Sequence, residues 1–337
     1  MPKRVLLTGA GGFIGSHVLR HLLLETDWHV VCTDSFRHKG KTDRITRQAN
    51  TYVCGDRFEV FTHDLAAPIT YQMAHRIGRI DYVIAMASLS HVDRSIAEPS
   101  AFIRNNVEIA LSTLGYCLQA EPDHVILIST DEVYGPVAQD DYVGHPEWDT
   151  ILPSNPYSAS KAAQEAIAIS YWRTYGLPLT IVNCMNLIGE MQDPEKYLPS
   201  LIAKISSDEW VTVHGTPDNI GTRHYLHARN LADAIVFLLG AEHPRTLFPH
   251  HDRPPRWNVA GPDRVSNLEL AQMVSQICEK RLKYRLEDFH TTRPGHDPHY
   301  GLDPAKLTAA GWKPPVPFAS SLERTVRWTL AHPEWMA

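Results

Sequence analysis

Tyr157 and Lys161 stand four residues apart in Tyr157-Ser158-Ala159-Ser160-Lys161. Asp131 and Glu132 are adjacent in Ser129-Thr130-Asp131-Glu132-Val133-Tyr134-Gly135. On a helix, positions four apart lie one above the other on the same face. A lysine there is expected to lower the pKa of the phenol, so that tyrosinate takes a hydroxyl proton while a hydride leaves the same carbon. Thr130 is the expected partner of that substrate hydroxyl. An oxidation needs the tyrosine and the lysine but not the acidic pair. Two neighbouring carboxyls in a partly desolvated cleft have their pKa values driven apart, so one serves as acid and the other as base. The pair therefore points to a second reaction on the same substrate, most simply the loss of water.

A hydride needs an acceptor, and the start of the chain carries the signal for one. Gly9-Ala10-Gly11-Gly12-Phe13-Ile14-Gly15 follows an apolar run and opens a helical stretch. Glycines at this spacing let the backbone approach a pyrophosphate, and the helix N-terminus supplies amide donors. Asp34 ends the next strand 19 residues after Gly15, where a carboxylate accepts from both hydroxyls of an adenosine ribose and repels a 2′-phosphate. NAD is thus favoured over NADP, although Arg37 and Lys39 lie close by. Lys161 is then expected on the nicotinamide ribose, Asp64 and Leu65 near the adenine, and Ala87 where a small residue lets the cofactor lie close.

The elements that must hold these groups are legible as apolar runs at 5–8, 29–33, 58–61, 82–86, 124–129 and 179–184, alternating with helical stretches near 14–25, 100–119 and 158–175. Strand–helix alternation with near-continuous apolar strands predicts an α/β fold, a Rossmann-type doubly wound parallel sheet covered on both faces. After about residue 185 proline becomes frequent and a smaller C-terminal α/β lobe is expected, with helices near 267–281 and 318–331.

The 337 residues carry a net charge of −6, 43% hydrophobic and 21% charged residues, as in an ordinary globular enzyme, with no basic tract for nucleic acid. Cys32, Cys54, Cys117, Cys184 and Cys278 are scattered and form no Cys-x-x-Cys, which fits reduced thiols in a cytoplasm. Lys3-Arg4 before an apolar run mimics a leader, but Thr8-Gly9 cuts the run short. No stretch approaches the roughly 18 apolar residues of a membrane span. Nineteen histidines include no His-x-x-x-His with an acid between the two, and no metal is expected. His243, His250 and His251 read as solvated loop residues.

With these residues in place, the chain resembles the extended short-chain dehydrogenase/reductases, and within them the nucleotide-sugar 4,6-dehydratases, those acting on dTDP-glucose above all. Segments 129–135 and 156–161 carry the likeness, with Ser90-His91-Val92-Asp93-Arg94-Ser95, Pro194-Glu195-Lys196, Arg293-Pro294-Gly295-His296-Asp297 and Gly311-Trp312-Lys313-Pro314. The resemblance implies that Tyr157 deprotonates the sugar's 4-hydroxyl while NAD takes the C4 hydride. Glu132 then removes the C5 proton, Asp131 protonates the departing 6-hydroxyl, and the hydride returns to C6. It places Ser90, Asn186, Lys196, Arg223, Asn267, Arg293 and His296 on the nucleotide-sugar, with Arg223 and Arg293 suited to a pyrophosphate. It divides the chain into an NAD-binding domain at 1–184, with a returning segment near 222–240, and a mainly sugar-nucleotide lobe at 185–337. It also implies a homodimer built on the helices near 100–119 and 158–175.

The chain departs from the family pattern where Leu89 replaces a glutamate, where Leu187-Ile188 replaces Asn-Tyr, around Asn219-Ile220-Gly221-Thr222 before Arg223, and at Thr292. These positions surround the sugar and the nucleotide, so base and hexose stay open. A 4-epimerase or decarboxylase of a nucleotide-sugar, a 5,6-dehydratase of a UDP-N-acetylhexosamine and a non-catalytic NAD-binding protein are the competing readings.

Overall fold

Val5-Leu6-Leu7, Val30-Val31 and Val125-Ile126-Leu127-Ile128 are too apolar to face water on either side. The computed structural model describes residues 2–49, 55–141, 143–240, 252–288 and 297–336, and in it these runs lie side by side. Strands β1 (Arg4–Thr8), β2 (His29–Asp34), β3 (Phe58–Thr62), β4 (Tyr82–Ala85), β5 (His124–Thr130) and β6 (Leu179–Cys184) coincide with the six expected strands to within one or two residues. They form a seven-stranded sheet in the order β12-β6-β5-β4-β1-β2-β3, every neighbouring pair parallel. The seventh strand is β12 (Arg256–Val259).

Helices cover both faces. On one side α1 (Phe13–Glu25) packs with α8 (Ala228–Gly240), joining Val18, Leu22, Ile235 and Leu238 in one buried cluster. On the other, α5 (Pro99–Ala120) and α6 (Pro156–Tyr175) bury Leu114, Cys117 and Ala168 against Leu127 and Ile181. Between them in the chain lie α2 (Thr42–Gln48), α3 (Tyr71–Ile77), α4 (Val92–Ala97) and α7 (Tyr197–Ser206).

The chain crosses the boundary placed at 184 more than once. Beyond the returning stretch near 222–240, β12 at 256–259 pairs with β6 and widens the sheet. The second lobe gathers its own core from α7, β8 (Val211–Thr216), α9 (Asn267–Ile277) and α10 (Phe318–Ala331), around Leu201, Val213, Leu270 and Leu322. Its short strands, in sequence order, are β7 (Leu187–Ile188), β9 (Asn219–Ile220), β10 (Thr222–His224), β11 (Leu226–His227), β13 (Arg264–Ser266) and β14 (Tyr284–Glu287). The sheet order reverses direction between β1 and β4, and open α/β sheets bind ligands in the crevice that such a switch opens at the strands' carboxyl ends.

Candidate active site

The loop after β1 is built so that only glycine fits. Gly9 has φ +71°, and a Cβ there would stand 3.0 Å from the Ala87 Cα at the exit of β4. A Cβ on Gly15 would stand 2.1 Å from the Gly9 carbonyl oxygen. Thr8 ties the two strand ends together, its hydroxyl accepting from the Met86 and Ala87 amides at 3.0 Å each. Gly12 caps α1 with no side chain bonded to the helix end, so the first-turn amides stay available to a phosphate.

Asp34, at the end of β2, accepts from the Gly11 and Phe36 amides at 2.9 Å each. Burial raises its pKa and these amides oppose the rise. The cations that weaken a preference for NAD over NADP are engaged elsewhere. Arg37 pairs with Asp64 at 2.7 Å and Lys39 with Glu195 at 2.5 Å. Asp64 is thereby an ion-pair partner of Arg37 on the rim. A glycine cradle, an uncapped helix start and an acid aimed at the same crevice fit a dinucleotide.

One cleft of about 660 Å³ connects this cradle to the chemistry. Gly9, Gly12, Phe13, Ile14, Gly15, Asp34, Asp64, Leu65 and Ala87 line its nucleotide end. Thr130, Asp131, Glu132, Tyr157 and Lys161 line its middle, and Ser90, Asn186, Lys196, Arg223 and Asn267 its far end. Arg293 and His296 lie outside the described residues.

The candidate catalytic groups come from two elements. β5 ends at Thr130 and turns into a single 3-10 turn, Asp131–Val133, in which the Thr130 hydroxyl accepts from the Glu132 amide. α6 begins with Pro156 after Asn155, the best type of start for a helix. Asn155 closes a capping box with Ser158 and also donates its Nδ2 to Glu132 Oε2 at 3.2 Å. One cap residue therefore joins the acidic turn to the helix of Tyr157 and Lys161.

Both acids are held above the ordinary carboxyl range. Burial pushes Asp131 up to about 6, while the Thr130 hydroxyl, donating to Asp131 Oδ1 at 2.9 Å, pulls it down. Burial and then the nearby Asp131 charge push Glu132 up to about 7. Asp131 Oδ2 is buried without a hydrogen-bond partner, a lone pair left for something that enters the cleft.

The tyrosine and lysine differ from expectation. Tyr157 is raised well above its usual value, first by burial and then by Glu132, with Thr130 the hydrogen-bonding group that opposes this. Lys161 does not lower it: the ammonium donates to the Ile128 carbonyl at 2.8 Å and to Gln164 Oε1 at 2.5 Å. Burial in turn lowers Lys161 to about 8. Same-face spacing brought the two residues to one cleft, but desolvation outweighs the charge of a lysine bonded to the protein itself.

Arg223 is held at the cleft by the chain itself. Its guanidinium donates to the Thr222, Pro298 and Asp297 carbonyls and stacks 4.0 Å from the Tyr300 ring, while its Nε takes no part in these bonds. Lys196 leans into the cleft, bonded at 3.3 Å to the Ser90 carbonyl and drawn by the Glu132 charge.

Sequence reasoning missed the buried groups that hold this site. Arg44 is fully buried, pairs with Asp193 at 3.0 Å and donates to the Met191 and Lys39 carbonyls. Glu165, Asn183 and Arg256 are missed as well. Only Asn155-Pro156 carried a local signal, as a helix start.

Among the described residues, His17, Glu190 and His227 have ligand-type atoms within 4.8 Å of one another. They line a separate cavity of about 620 Å³ behind α1. His227 Nδ1 accepts from the Arg229 amide at 3.0 Å, so its Nε2 carries the proton and donates to Glu190 at 2.9 Å. That tautomer offers no lone pair to a cation.

Four cysteines among the described residues are unpaired, and Cys54 lies outside them. No helix among the described residues is long and apolar enough to cross a membrane.

Comparison with known proteins agrees with this geometry. The model of the NAD dependent epimerase/dehydratase family matches residues 5–251. The chain is 30% identical to dTDP-glucose 4,6-dehydratase 1 of Escherichia coli, covering 99% of this chain and 94% of that protein. Its fold superimposes on DesIV, a dTDP-glucose 4,6-dehydratase from Streptomyces venezuelae solved with NAD bound, with TM-score 0.86 and 30% identity over 98% of both chains. It is similar also to the UDP-glucose 4-epimerase of Thermus thermophilus in complex with NAD, with TM-score 0.84 and 26% identity over 98% of this chain and 99% of that one. The chain therefore belongs to the NAD dependent epimerase/dehydratase family, an extended short-chain dehydrogenase/reductase whose cofactor is NAD.

Proposed function

We propose that the protein is a 4,6-dehydratase of a nucleotide-activated hexose, of the dTDP-glucose or UDP-glucose type, yielding the 4-keto-6-deoxy sugar. The observation that carries the reading is the raised pair Asp131 and Glu132 in the same cleft as Tyr157 and Lys161. An epimerase has to oxidise and re-reduce one carbon and has no use for a second acid–base pair. DesIV and the Escherichia coli relative are named as dTDP-glucose dehydratases, which supports the same class of substrate.

When bound, NAD supplies the redox chemistry, accepting a hydride from one sugar carbon and returning it to another. Tyr157, in its phenolate form, takes the proton of the 4-hydroxyl, with Thr130 bonded beside it; the positive charge of bound NAD would favour that form against the burial that raises the phenol. The resulting 4-keto group acidifies C5–H. Glu132 takes that proton and Asp131 gives one to the departing 6-hydroxyl, so that water leaves.

The proton balance then has one loose end. In each turnover Tyr157 gains a proton, Asp131 loses one, and Glu132 returns to C5 what it took. Resetting the site moves one proton from Tyr157 to Asp131. The Thr130 hydroxyl is hydrogen-bonded to the phenol and donates to Asp131 Oδ1, which makes it the shortest path. A proton arriving on Asp131 also removes the charge that raises Glu132, freeing Glu132 to act as the base.

The product test uses dTDP-glucose and UDP-glucose in deuterated water with NMR readout. Solvent deuterium at C5 with a new 6-methyl signal is the expected result. Inversion at C4 with the 6-hydroxyl kept would replace dehydration by epimerisation, and a product unsaturated between C5 and C6 would indicate elimination that stops before hydride return. We propose further that the enzyme works as a cytoplasmic homodimer, with Ile103 and Leu111 exposed on α5 as part of the contact.

A further inference from the structure

Behind the acidic turn lies a buried ion pair that the reaction does not touch. Glu165 sits one helical turn beyond Lys161 on α6, and Arg256 starts β12 at the sheet edge. Both are wholly buried, with Arg256 Nη2 2.7 Å from Glu165 Oε2. An ion pair that has left water entirely adds little net stability compared with apolar packing, so what it holds in place is the more informative question.

Its remaining bonds go to the two ends of the acidic turn. Glu165 Oε1 accepts from Asn183 Nδ2 at 2.9 Å, and that same amide donates to the Thr130 carbonyl at 2.9 Å. Arg256 Nη1 donates to the Tyr134 hydroxyl at 2.8 Å. Tyr134 follows Glu132 by two residues, and its amide donates to the Asp131 carbonyl at 3.0 Å. Trp148 covers the guanidinium face at 4.1 Å. Thr130 on one side and Tyr134 on the other thus run back to one carboxylate. Glu165 is also the foremost anion acting on Lys161. The other groups facing that ammonium are the Cys184 thiol on β6, the Ile128 carbonyl on β5 and Gln164 on its own helix.

We infer that Glu165 and Arg256 are positioning residues, a brace that fixes the Asp131–Glu132 turn for elimination and, through Glu165, keeps Lys161 charged for oxidation. The inference rests on the dehydratase reading for its first half only. The two arms are separable because Tyr134 and Arg256 reach the turn alone, whereas Glu165 reaches both the turn and the lysine.

The experiment compares Tyr134→Phe, Arg256→Lys and Glu165→Gln in the NAD-loaded enzyme. C4 oxidation is followed by the absorbance of reduced cofactor in the first half-turnover, and loss of water by 6-methyl product. Tyr134→Phe and Arg256→Lys are expected to keep oxidation within about threefold and to slow loss of water about tenfold or more, as displaced acid–base groups do. Glu165→Gln is expected in addition to move the upper pH limit of oxidation downward by about one unit, because Lys161 loses the foremost anion acting on it and gives up its proton sooner.

Should a single variant fail to fold, Glu165→Gln with Arg256→Met removes both charges together and strands neither. It should show the same selective loss. Folded variants in which both steps fall equally, or in which neither step nor the pH limit moves, overturn the brace. A wild-type enzyme that oxidises C4 but makes no 6-deoxy sugar overturns the dehydratase reading instead, and the pH limit of Glu165→Gln still decides the lysine arm.

Discussion

Two clusters of buried ionisable groups flank the glycine loop, and they are built to opposite ends. At the acidic turn, Asp131 and Glu132 stand near each other, short of partners, and both are raised. Behind α1, Glu190 accepts from His227 at 2.9 Å and from the Arg324 guanidinium, and His17 donates to the Glu190 backbone carbonyl at 2.9 Å. There the hydrogen bond from His227, with the two imidazoles close by, overcomes burial and holds Glu190 below the usual carboxyl range, while burial lowers His17 to about 4. Burial alone therefore does not make a reactive group. What separates the clusters is whether the protein supplies the opposite charge or leaves it to the ligand.

The tyrosine step gives the largest test of the acidic side. Tyr157→Phe removes the base and should lower C4 oxidation by at least about 10³-fold, measured as reduced-cofactor absorbance on mixing with substrate. An unchanged rate would remove Tyr157 from its role. Asp131→Asn with Glu132→Gln should spare oxidation and slow loss of water by about 10²–10⁴-fold. Formation of 6-deoxy sugar at the wild-type rate would make the pair structural.

Stability should move in opposite directions at the two clusters. A carboxyl with a raised folded pKa stabilises the fold only while protonated, and that contribution is lost as pH rises from the ordinary carboxyl range through about 6 to 7. The Asn/Gln double variant should therefore be more stable than wild type at pH 8, by about 2–3 kcal/mol, with the gain shrinking towards pH 4. Glu190 has a lowered folded pKa, so its contribution is present above 4.5 and lost as pH falls below that value. Glu190→Gln should accordingly destabilise the protein at pH 7, by about 2 kcal/mol, because it removes the buried charge to which His227 and the exposed Arg324 guanidinium bond. Denaturant melts at both pH values check the two signs, and equal signs would erase the contrast. The smallest effect is expected at Thr130→Val, which removes the path from Tyr157 to Asp131. Loss of water should slow about tenfold more than oxidation and recover in Thr130→Ser. Parallel loss of both steps would restrict Thr130 to substrate binding.

Some parts of the site were open to reading along the chain because their physics is local. Gly9 and Gly15 announce a backbone approach that no Cβ permits, and Asp34 announces itself by ending the strand after them. Tyr157 and Lys161 share a helix face by spacing alone. Other parts depend on partners far away in sequence. Arg44 reaches Met191, Arg256 reaches Glu165 and Tyr134, and Arg223 reaches Asp297 and Pro298, through contacts that no pattern around each residue foretells. The β12 strand escaped because four residues after a proline-rich stretch carry too little periodicity to mark a strand.

The sequence by itself determined which side chains are available, that a parallel sheet carries them, and that a dinucleotide cradle and two pairs of ionisable side chains meet at its carboxyl edge. Only the tertiary structure decided their charge states. Lys161 was expected to depress Tyr157, yet Ile128 and Gln164 hold its ammonium and burial raises the phenol. Arg223 was expected on a pyrophosphate, and its guanidinium is held at the cleft by carbonyls distant in the chain, those of Asp297 and Pro298. Spacing is fixed by the backbone within a few residues, whereas a pKa is set by the dielectric and the partners that the whole chain assembles around the group.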